Sequence, residues 1–386
     1  QAPLGGDPTD AAVVAALAAS LREALARKRW LSVLASAPAR LIGLGEAARP
    51  ETEPSYRVGL ALLRLGDRLR LTGELRQATS GRILWAEHYD RTLAGDVLGA
   101  VDELAGTLAR RLDREVELAE VLRASRGPIE AMSAYDHVLR AIPLIFRLTP
   151  EAFTEADRLL RAAEAADPHE PMVYAWRAFW YFLDIGQGWA GDPKTAREEL
   201  AAIVRRAIEL DPTNAMALAV AGHVASFVEH DYERGLGLLE RSLSLDPNSA
   251  YAWDLSAMTL CYTGEAEEGL RRIEMSRDLW QRHPNPYYFQ TTACIALMLA
   301  GEHERAIELS RRTVRENPSF HAPYRPLIAS LGHTGRIDEA RRYLAELQKV
   351  EPDFSVGWFR TKYPPLGRDY GELYIAGLRK AGVPEE

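Results

Sequence analysis

Proline sets the frame of the second half of this chain. The segments Ala166-Asp167-Pro168, Asp211-Pro212-Thr213-Asn214, Asp246-Pro247-Asn248-Ser249, His283-Pro284-Asn285-Pro286, Asn317-Pro318-Ser319-Phe320 and Glu351-Pro352-Asp353-Phe354 echo one another. Their first prolines stand at 168, 212, 247, 284, 318 and 352, at intervals of 44, 35, 37, 34 and 34. Proline lacks the helical donor and disfavours helical geometry in the residue before it, so each of these pairs ends a helix. A chain of 386 residues that must stop a helix about every 34 residues does not build one large core. It stacks helix–turn–helix units, each burying its apolar face on its neighbours.

The interior of each period agrees. Turns fall midway at His230-Asp231-Tyr232, Thr263-Gly264-Glu265, Ala300-Gly301-Glu302 and Thr334-Gly335-Arg336. Small residues stand where two helices must approach, at Gly235, Gly269, Ala306 and Ala340, and bulky Leu218, Trp253 and Tyr324 sit early in the preceding helix to fill the gap. The pattern resembles the tetratricopeptide (TPR) repeat over about 130–360. The long first interval places an insertion around 184–195, expected as a lengthened loop between the two helices of its unit. That loop is either a binding feature or a tolerated surface insertion.

Residues 1–115 read differently. A helix over 10–27 is followed by an apolar β-type run at 30–36. Strands then fill 56–91, broken at Leu65-Gly66-Asp67 and Thr79-Ser80-Gly81, with Leu69, Leu71 and Leu75 on a period of two. A helix over 93–122 closes the region. The stretch Gly66-Asp67-Arg68-Leu69-Arg70-Leu71-Thr72, with Gly81-Arg82-Ile83-Leu84-Trp85-Ala86-Glu87-His88-Tyr89-Asp90-Arg91, resembles a TolB-like amino-terminal domain. That resemblance extends through 131–168 as the first TPR unit, and it departs at the start, where the opening apolar strand of that domain is missing or degenerate. The fold expected is a small α/β domain at 1–115, a helical linker at 116–130, an all-α TPR solenoid at 131–365 wound as a right-handed superhelix, and a cap at 366–386.

Composition excludes several functions. With 47 basic and 55 acidic residues the formal charge is −8, a poor basis for gripping nucleic acid. Cys261 and Cys294 have no metal-ligand spacing and read as reduced core thiols. No run is long and apolar enough to cross a membrane. The opening Gln1-Ala2-Pro3-Leu4 lacks a leader's basic and apolar regions, and also an initiator Met, which suggests a piece of something longer. There is no phosphate-binding glycine loop, no nucleophile elbow and no paired-histidine metal motif. No enzyme, cofactor or metal is expected, and the location expected is cytoplasmic.

What remains is a binding surface. If positions 2, 5, 9, 12 and 13 of each first helix face inward, one unit offers Met216, Ala219, His223, Ser226 and Phe227, and the next Tyr251, Asp254, Met258, Cys261 and Tyr262. Tyr288, Thr291, Ile295 and Met298 follow, then Arg325, Ala329 and His333; Arg140, Phe179 and Phe182 correspond in earlier units. The resulting groove has aromatic walls and a few polar groups, suited to a small organic ligand or a short peptide. Arg140 and Arg325 either clamp a carboxylate or pair with acidic neighbours between repeats. Residues 174–189 carry Tyr174, Trp176, Phe179, Trp180, Tyr181, Phe182 and Trp189, too many for one helix face. They either pack helix and insertion together or form an aromatic cage near Trp180 and Trp189.

The resemblance implies a regulatory region of a bacterial signalling protein. Such arrays accompany winged-helix transcriptional regulators, the favoured output, or class III adenylate cyclases. A protein-interaction scaffold without a small-molecule ligand is the alternative. Any DNA contact belongs to a domain outside this sequence, and a homodimer is compatible with the reading.

Overall fold

The computed structural model describes residues 8–28, 31–34, 54–65, 68–92, 97–126, 132–281, 283–362 and 368–386. The chain divides into two compact units, Gln1–Arg126 and Gly127–Glu386.

In the first unit, α1 (Pro8–Ala26) buries Val13, Leu17, Leu21 and Leu25, a spacing of four that places all four on one helix face. A meander follows: β1 (Tyr56–Leu65), β2 (Arg68–Gln77) and β3 (Ile83–Thr92), antiparallel in the order β1-β2-β3. The period of two in β2 is real. Leu69, Leu71 and Leu75 are buried while their neighbours face out. Gly73 lies in the same buried row, where a Cβ would stand 2.9 Å from Leu108 and 3.1 Å from Trp85. The turn at 78–80 ends on Gly81, whose φ of 67° is left-handed. The other expected turn, at Gly66-Asp67, lies outside the described residues.

Helix α2 (Val97–Arg126) covers this sheet with Val101, Leu104, Leu108 and Leu112. It continues unbroken through the stretch assigned above to the start of a linker. Of the apolar run at 30–36 only residues 31–34 are among the described residues. These four are in no strand, and Leu31 N–H donates to Lys28 O just beyond the end of α1. Leu31 and Val33 pack on the core from there as side chains only.

The second unit is built of helical hairpins of the tetratricopeptide type. They are α3 (Ala134–Ile145) with α4 (Pro150–Ala166), α5 (Pro171–Gln187) with α6 (Pro193–Leu210), α7 (Ala215–Phe227) with α8 (Tyr232–Leu245), and α9 (Ala250–Thr263) with α10 (Ala266–Met275) and the short α11 (Arg277–Trp280). Next come α12 (Pro286–Leu299) with α13 (His303–Glu316) and α14 (Tyr324–His333) with α15 (Ile337–Gln348). Helices α16 (Val356–Lys362) and α17 (Arg368–Lys380) close the array, α17 packing on α14.

The Asp-Pro pairs work as a local device. Asp167, Asp211, Asp246 and Asn317 are the residues that end α4, α6, α8 and α13. Each also turns its side chain back to accept from the N–H two residues on, at 2.9–3.1 Å, at His169, Thr213, Asn248 and Ser319. Asn214 and Ser249 then cap the next helix, accepting from Ala217 and Ala252. The pairing within a hairpin is antiparallel. Ser242 donates to Ala215 O, Gly222 meets Leu239, and Gly235 meets Ser226, an order that reverses along the partner helix.

The insertion does not make a long loop. Gly188, at φ 74°, ends α5. Asp192 caps α6 and Pro193 opens it, so only 188–192 lie between the helices. The extra residues lengthen the pair instead, to 17 and 18 residues against 13 and 14 in α7 and α8.

Candidate functional site

The first helices of successive hairpins form the inner layer of the array. Their polar residues converge on one partly enclosed cavity of about 100 Å³. Gln187 comes from the end of α5, His223 from α7, Asp254 from α9, Thr291 and Thr292 from α12, and Arg325 from α14. Thus five consecutive inner helices each contribute at least one polar group. The winding of the array brings the end of α5 against Phe320, Ala322 and Trp358, which line the same space. Trp189 stands edge-on to His321 with ring centroids 6.3 Å apart.

The electrostatics are unusual for an interior. Asp254 is 3% exposed; one oxygen takes a hydrogen bond from Thr292, and Oδ1 accepts none. Burial pushes its carboxyl well above the usual range, against the Thr292 bond. His223 is equally buried, and burial pulls its imidazole down to about 3, so the ring is neutral near pH 7. It lies edge-on to Phe182 at 4.7 Å and stacks on Phe227 at 5.5 Å, and Nδ1 has no partner. The amide nitrogen of Gln187 also has none. Interiors rarely leave such groups unsatisfied, because each costs about 1–3 kcal/mol. Three of them lie around one cavity.

Arg325 is held differently. Nη2 donates to Glu351 Oε1 at 2.5 Å, and the guanidinium carbon sits 4.9 Å from the centroid of the Trp358 ring. His321 Nδ1 is 3.2 Å from the same carboxylate oxygen. Against the desolvation of burial, the Arg325 charge and His321 hold Glu351 below its ordinary value.

Among the expected binding residues, His223, Asp254, Tyr288, Thr291 and Arg325 line this cavity. So do Phe182, Phe227, Met258, Tyr262 and Ile295 of the expected inner face, whereas Arg140, Phe179, Trp180, Trp189 and Tyr251 sit elsewhere. The inner face expected to be an open groove is filled by Phe146, which follows α3. Its ring lies 5.6–6.4 Å from those of Trp176, Phe179, Tyr251, His283 and Tyr288, and the Tyr287 hydroxyl donates to its carbonyl. Phe179 is therefore fully buried, and Tyr251 hydrogen-bonds His283 at 3.0 Å. Trp180 donates to Phe153 O, and Trp189 packs edge-on to the Phe153 ring at 4.8 Å: these two tryptophans share a core residue and do not line the cavity. Arg140 is half-buried on α3, one turn from His137.

Gln187, Thr292 and Glu351 were not expected in the site. Gln187 stood in the supposed loop, Thr292 one place off the inward register, and Glu351 beside a helix-ending proline. Only the Glu351-Pro352 pair carried a signal, and it read as punctuation. Among the described residues no cluster of His, Cys, Asp and Glu is suited to a metal ion, and no helix is long and apolar enough to cross a membrane.

No protein-family model matches the chain. A protein described as putative adenylate cyclase 3 from Rhizobium meliloti (strain 1021) is 28% identical over 162 residues, 41% of this chain and 27% of that protein. Interferon-induced protein with tetratricopeptide repeats 3 from Mus musculus is 26% identical over 205 residues, 50% of this chain and 49% of that protein. The chain therefore spans about a quarter and about half of the lengths of these curated relatives. Among solved structures, PilW, a type IV pilus biogenesis factor, is 17% identical with a TM-score of 0.40, over 54% of this chain and 92% of its own. YrrB, a TPR protein with an unusual peptide-binding site, is 15% identical with a TM-score of 0.32, over 50% and 93%.

Proposed function

We propose that this chain is the ligand-sensing regulatory region of a bacterial signalling protein, with its array taking a small molecule into the inner cavity. One observation carries the reading. Asp254, His223 and Gln187, from three different inner helices, leave polar atoms unpaired around a single cavity. A ligand that satisfies them bridges several repeats. Because each repeat rests only on its neighbours, such a bridge shifts the population of curvatures the array adopts.

The region is proposed to be non-catalytic and cytoplasmic, with the output carried by another domain. The TolB-like resemblance of 56–91 supports a signalling context with either a DNA-binding or a cyclase output. The similarity to a protein described as a putative adenylate cyclase favours the cyclase.

A thermal-denaturation screen of the full chain against small polar metabolites, and in parallel against peptides, tests this. A cavity ligand at one hundred times its Kd stabilises by about 2.7 kcal/mol, and Gln187→Leu weakens that response. Stabilisation by peptides alone, indifferent to Gln187→Leu, replaces the sensor with a protein-interaction scaffold.

A further inference from the structure

Resting on the reading that the cavity binds a small molecule, the geometry points to the class of that molecule. We infer that the cavity is a receptor for a small organic cation, its ammonium group seated on Asp254 between aromatic walls.

The first argument is the local charge. Asp254 and Glu351 are buried carboxylates and Arg325 is a buried cation. Arg325 is committed to Glu351, with His321 on the same oxygen. His223, which lines the same cavity, is neutral near pH 7 because burial lowers its imidazole. Among the described residues no ion pair reaches Asp254, whose one partner is the Thr292 hydroxyl. When ionised, the cavity therefore carries one uncompensated negative charge. Burial holds that charge off while the cavity is empty; a cation seated in the cavity is the partner that lets the carboxylate form there. An anionic ligand meets the opposite situation: the charge of the guanidinium it needs is already balanced by Glu351, and it must approach Asp254 in the same lining.

The second argument is the wall. Phe182, Phe227, Tyr262, Tyr288 and Trp358 line the cavity together with Asp254. Aromatic faces carry negative potential and attract cations. Trp358 already holds the Arg325 guanidinium in that way at 4.9 Å. A neutral polar ligand gains nothing from these rings beyond apolar contact.

Size sets the scale. A cavity of about 100 Å³ is somewhat smaller than the roughly 150 Å³ that admits benzene. The ligand, or the part of it that enters, has about five heavy atoms. A short primary amine or a methylated ammonium head fits, while a peptide helix does not.

Isothermal titration of the full chain at neutral pH compares four probes of nearly equal size: n-butylammonium, tetramethylammonium, 1-butanol and butyrate. The expected result is binding of at least one cation about tenfold tighter than 1-butanol or butyrate. In Asp254→Asn, which keeps the side-chain volume, that preference falls by about tenfold. Equal or tighter binding of 1-butanol or butyrate to the unmodified chain overturns the cation inference while leaving the cavity a binding site. A cation preference that persists undiminished in Asp254→Asn also overturns it. Silence from all four probes overturns it as well, and if the metabolite screen is silent too, the sensor reading goes with it. The selectivity series on the unmodified chain decides the matter should Asp254→Asn fail to fold.

Discussion

Helices α7 and α8 are the two arms of one hairpin, yet they are built to opposite rules. Ten of the thirteen residues of α7 are buried, against four of fourteen in α8. The same contrast separates α12, with twelve of fourteen buried, from α13, with five. The outer helices keep one stripe, Gly235, Leu239, Ser242 and Leu243 in α8, at the spacing of a single helical face. The inner helices are covered by their outer partners and by the next inner helix, and α5, α9 and α12 also from within by Phe146 and its ring of aromatics. An outer helix is therefore specified by periodicity, and an inner helix by what fills the centre of the array.

The contrast is most easily broken at its centre. Phe146 is fully buried among Trp176, Phe179, Tyr251, His283 and Tyr288. Removing a buried phenylalanine side chain costs about 4 kcal/mol through lost transfer energy and the cavity left behind. Phe146→Ala is expected to lower unfolding stability by that amount in urea titration. A loss under 1 kcal/mol shows instead that the inner layer collapses readily and that Phe146 is no keystone.

A finer test uses two glycines of one outer helix. A Cβ on Gly235 stands 2.0 Å from Ser226 Oγ and 2.8 Å from the Gly222 carbonyl, whereas one on Gly237 meets nothing within 4 Å. Gly235→Ala is expected to destabilise by about 2–3 kcal/mol through overpacking. Gly237→Ala should stabilise by about 1 kcal/mol, from helix propensity alone. Effects of the same sign at both positions contradict the inner-face, outer-face division of α8.

Those two rules explain what the sequence made legible. The Asp-Pro and Asn-Pro pairs, the mid-hairpin turns and the small residues at 235, 269, 306 and 340 are local signals, and each sits where its spacing implied. The alternation of Leu69, Leu71 and Leu75 was equally direct. Of the cavity, the residues that follow inner-helix register were readable: His223, Phe227, Asp254, Met258, Tyr262, Tyr288, Thr291, Ile295 and Arg325. What register could not give was contact between distant segments. Phe146 enters the centre from a turn that has no periodicity, held there by Tyr287, 141 residues away. Gln187 reaches the cavity because α5 runs one turn longer than the pattern allowed. Glu351 meets Arg325 across 26 residues. Each depends on the winding of the array, which is set by the sum of its packing and not by a motif.

The smallest effect expected is also the sharpest on the inner layer, because two of its residues pull in opposite directions. Burial lowers His223 from its ordinary 6.5 to about 3. Between those values the unfolded chain binds a proton that the folded chain refuses, so stability falls as pH drops through that window. Burial raises Asp254 above its ordinary 3.8. Above that value the folded chain keeps a proton that the unfolded chain gives up, so stability falls as pH rises. Above about pH 4 the two slopes oppose each other for as long as Asp254 holds its proton, each worth up to about 1.4 kcal/mol per pH unit. Substituting one residue exposes the other. Urea unfolding at pH 4.5, 5.5 and 6.5 should show Asp254→Asn gaining stability with rising pH, and His223→Gln losing it, both measured against the unmodified chain. Should both variants run parallel to it, neither side chain is held in an interior environment, and the inner layer is open to water after all.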